Sequence, residues 1–226
     1  MSWVIEHHAS VDSTMRLAAQ RPVGAVVVAD EQTAGQGRHG HSWHSAAGDG
    51  LYCSIVLEPR PVLTLALGLA TVDAIASVTG ITCDLRWPND VMIGARKVAG
   101  ILVQLVDGRA IAGIGINVNH ERFPVELEHL ATSLRIHGGS PVSIGELLDA
   151  LLRSVEAFAS ENQDNVLRLF TQASSYVSGR RVTVDLPDGT IIGTTAGMDA
   201  DGYLRVQQDD GTVTLVLAGG VRAAGS

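Results

Sequence analysis

Apolar and polar positions divide the chain into a long first part of mixed texture and a short second part of regular strands. Val11–Arg21 reads as a short helix whose start can be capped by Asp12, Ser13 or Thr14. Gly24–Asp30 and Leu51–Leu57 are apolar runs of strand length, and Glu31–Gly50 between them has no period. Val62–Val78 predicts a largely buried helix. Asp84–Trp87 is stopped by Pro88, and a hairpin pattern follows: Val91–Ile93, a turn through Gly94, then Lys97–Val106. Ala110–Val118 is a third apolar strand, interrupted by Gly113 and Gly115. Glycines alternating along a strand imply either a close approach to the backbone or a packing crossover.

Ser143–Glu146 spells a capping box that opens a helix with Ile144, Leu147, Leu151, Val155 and Phe158 on one face. A second helix is expected over Asn165–Ala173. Beyond Ser178-Gly179 come four short strands, Val182–Leu186, Ile191–Met198, Tyr203–Gln207 and Thr212–Leu217. The turns Asp188-Gly189, Asp201-Gly202 and Asp210-Gly211 separate them, which indicates an antiparallel β module. The expected organisation is a mixed α/β domain over residues 1–178 and a small β barrel over 179–226.

Composition narrows the function. With 226 residues, 46% hydrophobic and 18% charged, the chain has too much apolar surface to stay disordered. Its net charge of −8 disfavours generic binding to nucleic acid or anionic membranes. Cys53 and Cys83 lie outside any Cys-x-x-Cys spacing and read as reduced interior thiols. The N-terminus lacks the apolar stretch of a signal peptide. Pro61–Gly80, broken by Thr64, Thr71, Asp73 and Ser77, falls short of a membrane span. A cytoplasmic protein is expected. The basic set is fifteen arginines and one lysine, Lys97. Either usage has drifted towards arginine, or that position needs a compact ammonium where a planar guanidinium would not fit.

The unpatterned loop carries chemistry. Gly35-Gln36-Gly37-Arg38-His39-Gly40-His41-Ser42-Trp43 offers backbone N–H groups and a guanidinium fork to an anion, and an indole to a flat ring. It is no Walker A loop, because no Gly-Lys-Ser/Thr closes it. A second segment, Arg86-Trp87-Pro88-Asn89-Asp90 to Arg96-Lys97, places a carboxylate and the lone ammonium on the two strands of one hairpin. Asp90 has the chemistry to hold Mg²⁺, although Asn-Asp alone is as readily a turn.

Together these segments resemble the biotin protein ligases. GQGRHGHSW at 35–43 is similar to the family's Gly-Arg-Gly-Arg-Arg-Gly-x-x-Trp. RWPNDVMIGARKVAGILVQ at 86–104 is similar to its Lys-Trp-Pro-Asn-Asp … Arg-Lys-x-Ala-Gly-Ile-Leu. Asp12-Ser13-Thr14, Gln32 and Gly113–Asn117 follow further family elements in order. The resemblance implies a mixed sheet flanked by helices, related to the catalytic domains of class II aminoacyl-tRNA synthetases, with a C-terminal SH3-like β barrel. It implies activation of biotin with ATP to biotinyl-5′-AMP, assisted by Mg²⁺. Biotin would then pass to a lysine of a biotin carboxyl carrier protein or domain, belonging to an acetyl-CoA or related acyl-CoA carboxylase or to pyruvate carboxylase.

Position by position, Ser13, Thr14 and Gln32 would hold the ureido head beside Met15, with backbone help from Gln36, Gly37 and Arg38. Gly113 and Gly115 would lie against the bicyclic ring. Lys97 would reach the carboxylate and the α-phosphate, and Arg38 would order the lid. His41 and Trp43 would line the adenylate site and Asn117 would face the adenine. Asn89 and Asp90 would serve the phosphates, with Asp90 as metal ligand and proton acceptor. The catalytic set implied is Lys97, Arg38 and Asp90.

Five departures stand out: Gln36, His39 and His41 replace basic residues, Arg86 replaces lysine, and Met15 replaces asparagine. The loop loses fixed charge, so looser retention of the adenylate is expected. About ten residues precede Val11, which leaves no place for the DNA-binding domain that makes some members repressors. No DNA partner is expected. Lipoate ligases, which share the chemistry, and a binding module without turnover are the rival readings.

Overall fold

Strand β3 (Gly50–Leu57) is buried at every position, a pattern that belongs inside a sheet rather than at its edge. We describe a computed structural model of the chain, covering residues 2–186 and 189–224, with the side chain of His39 left aside. Around β3 lie β1 (Val4–Val11), β2 (Ala25–Gln32), β4 (Asp84–Arg86), β5 (Asp90–Ile93), β6 (Arg96–Val106) and β7 (Arg109–Asn117). They form one seven-stranded sheet in the order β1-β2-β3-β7-β6-β5-β4. β1 runs parallel to β2, and every other neighbouring pair is antiparallel, so the sheet is mixed.

Helices α2 (Leu63–Thr79), α4 (Ile144–Ala159) and α5 (Gln163–Ala173) cover one face and share a continuous core with it. The Ser143 hydroxyl accepts a hydrogen bond from the Glu146 N–H and so caps α4, as its sequence predicts. Among the described residues the opposite face carries one helix, α1 (Thr14–Ala18), whose Met15 and Ala18 pack with Val27, Val56 and Ile111. Beyond that short helix the sheet surface is left to loops, and there the functional residues gather.

The short helix α3 (Leu134–Gly138) precedes α4. The C-terminal strands β8 (Ser178–Leu186), β9 (Gly189–Met198), β10 (Leu204–Gln208), β11 (Val213–Val216) and β12 (Gly220–Ala223) form a five-stranded antiparallel sheet ordered β11-β10-β9-β8-β12. Val182, Val184, Leu204, Val206 and Val216 join the main core. The Trp87 indole N–H donates to the Gly202 carbonyl at 2.9 Å and pins the two sheets together.

Four elements differ from expectation. The helix expected over Val11–Arg21 shrinks to α1, because Val11 ends the unforeseen strand β1. β1 is an edge strand with no buried position along its sequence, VIEHHASV, so it lacks the apolar run of a buried strand. β12 and α3 are too short to show a period. Of the expected turn Asp188-Gly189, Asp188 lies outside the described residues.

Candidate functional site

The loop from Gly35 to Trp43 folds on itself. The Trp43 N–H donates to the Gly35 carbonyl at 2.9 Å, and the Gly37 N–H donates to the His41 carbonyl at 2.7 Å. A single helical turn, Arg38–Gly40, forms its tip. Gly35 must be glycine, since a Cβ there would meet the Trp43 carbonyl oxygen at 2.6 Å.

This closed loop swings Trp43 onto the sheet. Gly100 and Gly115 stand directly opposite each other across β6 and β7. Having no side chains, they leave a flat bed for the indole: a Cβ on Gly115 would lie 2.5 Å from Trp43 Nε1, and one on Gly100 2.9 Å from its Cζ3. Lys97 holds its ammonium 5.1 Å from the centre of the indole, a cation–π contact. The Trp43 Nε1–H is buried without a hydrogen-bond partner. At Gly113 the approaching group is the Met15 thioether, 2.8 Å from where a Cβ would be. Of the two alternatives at these glycines, the structure shows the close approach, and the approaching groups are this chain's own side chains.

A cavity of about 40 Å³ remains. Thr14, Met15, Gln32, Gln36, Gly37, Arg38, Trp43, Asn89, Lys97, Gly113 and Gly115 line it, together with Cys53, Gly100, Ile101, Leu102 and Ile114, which sequence reasoning did not single out. One end is neutral and polar. The Gln32 Oε1 accepts from the Thr14 N–H at 2.9 Å and from its hydroxyl at 3.0 Å, while the Gln32 amide donates to the Ser45 hydroxyl at 3.0 Å. Thr14 also shares a hydrogen bond with Ser54 at 2.8 Å. The Ser13 hydroxyl is fully buried with no partner, an unsatisfied group next to the cavity's polar end.

The other end is cationic. Arg86 and Asp90 face each other across β4 and β5. Asp90 Oδ1 lies 2.5 Å from Lys97 Nζ and Asp90 Oδ2 2.6 Å from Arg86 Nη2. Arg38 donates to Asn89 Oδ1 at 2.8 Å and reaches the Gly219 carbonyl at 3.4 Å, which ties the loop to the C-terminal sheet. Burial pushes the Asp90 carboxyl up, but the Lys97 and Arg86 charges outweigh it and hold the group below the usual carboxylate range. Burial likewise weakens the Arg38 guanidinium's hold on its proton, an effect opposed by the Asp90 charge. Three cations meet one carboxylate here, a local positive excess within an acidic chain.

Besides Ser13, three expected site residues lie off the cavity wall. His41 is exposed and does not line the cavity. Asn117 is buried and turned inward, its amide donating to the Thr132 carbonyl at 3.1 Å. Asp90 lies behind Lys97 rather than on the cavity wall. With one oxygen on Arg86 and the other on Lys97, Asp90 in this arrangement does not fit a resident Mg²⁺. No group of three or more His, Cys, Asp or Glu side chains suited to a metal occurs among the described residues.

Residues 7–121 match the biotin/lipoate A/B protein ligase family, and residues 177–220 match the biotin protein ligase C-terminal domain. The chain belongs to this family. It is 33% identical to the bifunctional ligase/repressor BirA of Bacillus subtilis, over 91% of this chain and 70% of that protein. Identity is also 33% to the biotin–[acetyl-CoA-carboxylase] ligase of Mycobacterium tuberculosis, over 87% of this chain and 77% of that one. The structure of the Aquifex aeolicus biotin protein ligase in complex with biotin and ATP superposes with a TM-score of 0.88 at 30% identity, covering 97% of this chain and 99% of that one. The expected mixed sheet flanked by helices, followed by a small C-terminal β module, is borne out.

Proposed function

We propose that this chain is an ATP-dependent biotin ligase that forms biotinyl-5′-AMP and passes biotin to a lysine of the carrier domain of a biotin-dependent carboxylase. The observation that carries the reading is one glycine-floored cavity with neutral hydrogen-bonding groups at one end and an excess of cations at the other. Biotin has that polarity, a neutral cyclic urea separated from a carboxylate by an apolar ring and chain. Thr14, Gln32 and the unpartnered Ser13 suit the urea. Met15, Leu102 and Ile114 suit the ring, and Lys97 and Arg38 suit the carboxylate.

In the first step a biotin carboxylate oxygen attacks the α-phosphorus of ATP and diphosphate leaves. Two anions must meet, so the residues' contribution is positioning and fixed positive charge from Lys97 and Arg38. Trp43 shares the Gly100–Gly115 bed with whatever ring lies there, so its indole shifts as substrate binds and then covers it. Mg²⁺ arrives on the phosphates of ATP as part of that substrate. In the second step the acceptor amine attacks the acyl carbon and AMP leaves. The amine must shed a proton from an ammonium of reference pKa about 10.4, and Asp90, once Lys97 has turned to the substrate, is the carboxylate proposed to accept it. The closed loop keeps water from the mixed anhydride.

The carrier is proposed to be that of an acyl-CoA or pyruvate carboxylase, the location cytoplasmic, without a DNA or membrane partner. No described helix is long and apolar enough to cross a membrane. The catalytic domain is taken as residues 1–178 and the C-terminal module as 179–226.

The test is biotin-dependent ATP–pyrophosphate exchange with MgATP, beside lipoate and octanoate. Exchange with biotin alone, lost in Lys97→Ala, supports the reading. Exchange with lipoate instead replaces the substrate. No exchange from folded, biotin-binding protein leaves a binding module. Because Gln36 and His39 stand where the family carries arginines, the adenylate should leak into solution during a pre-steady-state trace, and full retention over many turnovers would contradict this.

A further inference from the structure

Asp90 divides its two oxygens between two cations of different kinds. Arg86 places both Nε and Nη2 on Oδ2, at 3.1 and 2.6 Å, and neither on Oδ1. Lys97 takes Oδ1, to which the Asn89 amide also donates at 3.4 Å. Arg86 does not line the cavity and Lys97 does. Arg86 is also fixed in place by register, since it lies directly opposite Asp90 on the neighbouring strand, at the mouth of the tight Trp87–Asn89 turn. Lys97 is an ammonium on a flexible four-carbon stem, with the face of Trp43 on its other side.

For Lys97 to touch a substrate carboxylate or phosphate it must let go of Asp90. A carboxylate this enclosed, with 16% of its side chain exposed, would then be left buried and unpaired unless a second cation stayed behind. We propose that Arg86 is a positioning residue that holds Asp90 by Oδ2 while Lys97 changes partner from Asp90 to the substrate. The proposal rests on the reading of Lys97 as the substrate-binding cation. It gives a physical reason for arginine at a position where the family's common spelling has lysine. A guanidinium delivers two N–H groups to one oxygen and keeps the carboxylate turned, whereas an ammonium holds it by a single point. Without Arg86, Lys97 would be the one cation left on Asp90, beside the neutral Asn89 amide, and Asp90 would keep it from the substrate.

That predicts a specific dependence between the two positions. The measurement is biotin-dependent pyrophosphate exchange with MgATP in wild type, Arg86→Gln, Arg86→Lys, D90N and the double variant R86Q/D90N. Thermal melting of each confirms that it is folded. Removing Arg86 in the presence of Asp90 should slow exchange about tenfold. In the D90N background, where no carboxylate competes for Lys97, the same change should cost less than about threefold. Arg86→Lys, which keeps the charge but not the fork, should fall between wild type and Arg86→Gln. An equal loss of exchange from Arg86→Gln in both backgrounds, or no loss in either, overturns the proposal, since an arginine that acts on Lys97 through Asp90 must lose its effect once Asp90 is neutral; the melting of the same variants shows whether the coupling is one of stability alone. Absence of exchange in the wild type would instead refute the ligase reading itself, so the two failures are distinguishable.

Discussion

Replacing Gly115 by alanine tests whether the indole of Trp43 occupies the glycine bed. The backbone φ of Gly115 is not in the left-handed region, so alanine brings no conformational strain. The only cost is the new methyl, 2.5 Å from Trp43 Cε2 and Nε1 and 2.9 Å from Cζ2. Carbon atoms prefer roughly 3.5–4.0 Å, so the ring must retreat by about 1 Å or more. Overpacking of this kind costs about 1–3 kcal/mol. Reduced freedom of the unfolded chain returns about 0.4–1 kcal/mol. The net loss is about 1 kcal/mol, which in a chain of this size lowers Tm by about 2–4 °C. Differential scanning fluorimetry on G115A, W43A and G115A/W43A reads it directly. With the indole gone, alanine at 115 should be neutral or slightly stabilising. G113A is the control: its methyl would meet the Met15 sulfur at 2.8 Å, and a thioether moves aside more easily than an indole, so its loss should be smaller. If G115A lowers Tm equally with and without Trp43, the indole does not lie on the bed and the reasoning fails.

Cys53 and Cys83 are free thiols pushed up to about 12 by burial, so neither should react with a thiol reagent at pH 8 until the protein is unfolded; fast labelling of either would contradict the packing. Asp90 titrates below its unfolded value of 3.8, so the stability it confers should be present above about pH 4 and be lost as pH falls through its folded value. Denaturant melts of wild type and D90N should accordingly differ most at neutral pH and draw together under acid, and a gap that does not narrow as pH falls below about 4 would refute the assignment. Trp87→Phe removes the donor to the Gly202 carbonyl between the two sheets and should cost about 1–2 kcal/mol, seen as a lower urea midpoint; an unchanged midpoint would mean that the indole hydrogen bond adds nothing.

The parts of the site that could be read along the chain are those whose signal is local. The strands β2, β3 and β7 announce themselves by long, mostly apolar runs, because a strand buried on both faces has few places for polar side chains. Lys97 and the Gly35–Trp43 loop stand out because their residue types are unusual for where they fall, while Gln32 is reached through the family resemblance. What could not be read is which groups meet. Gly113 and Gly115 declare that something approaches the strand, but the approaching groups are Met15 and Trp43, both some 70 residues or more earlier in the chain. Asn117 has the look of a ligand contact, yet a carbonyl that the return of the chain at Thr132 brings alongside turns it inward. Ser54 is one polar residue within an apolar strand and carries no motif; its partner Thr14 arrives only when α1 folds over the sheet. Arg86 looks like an interchangeable charge until the β4–β5 register sets it opposite Asp90, and only then does arginine differ in kind from lysine. Local chemistry therefore chooses the candidates, and the register of distant strands assigns each one its partner.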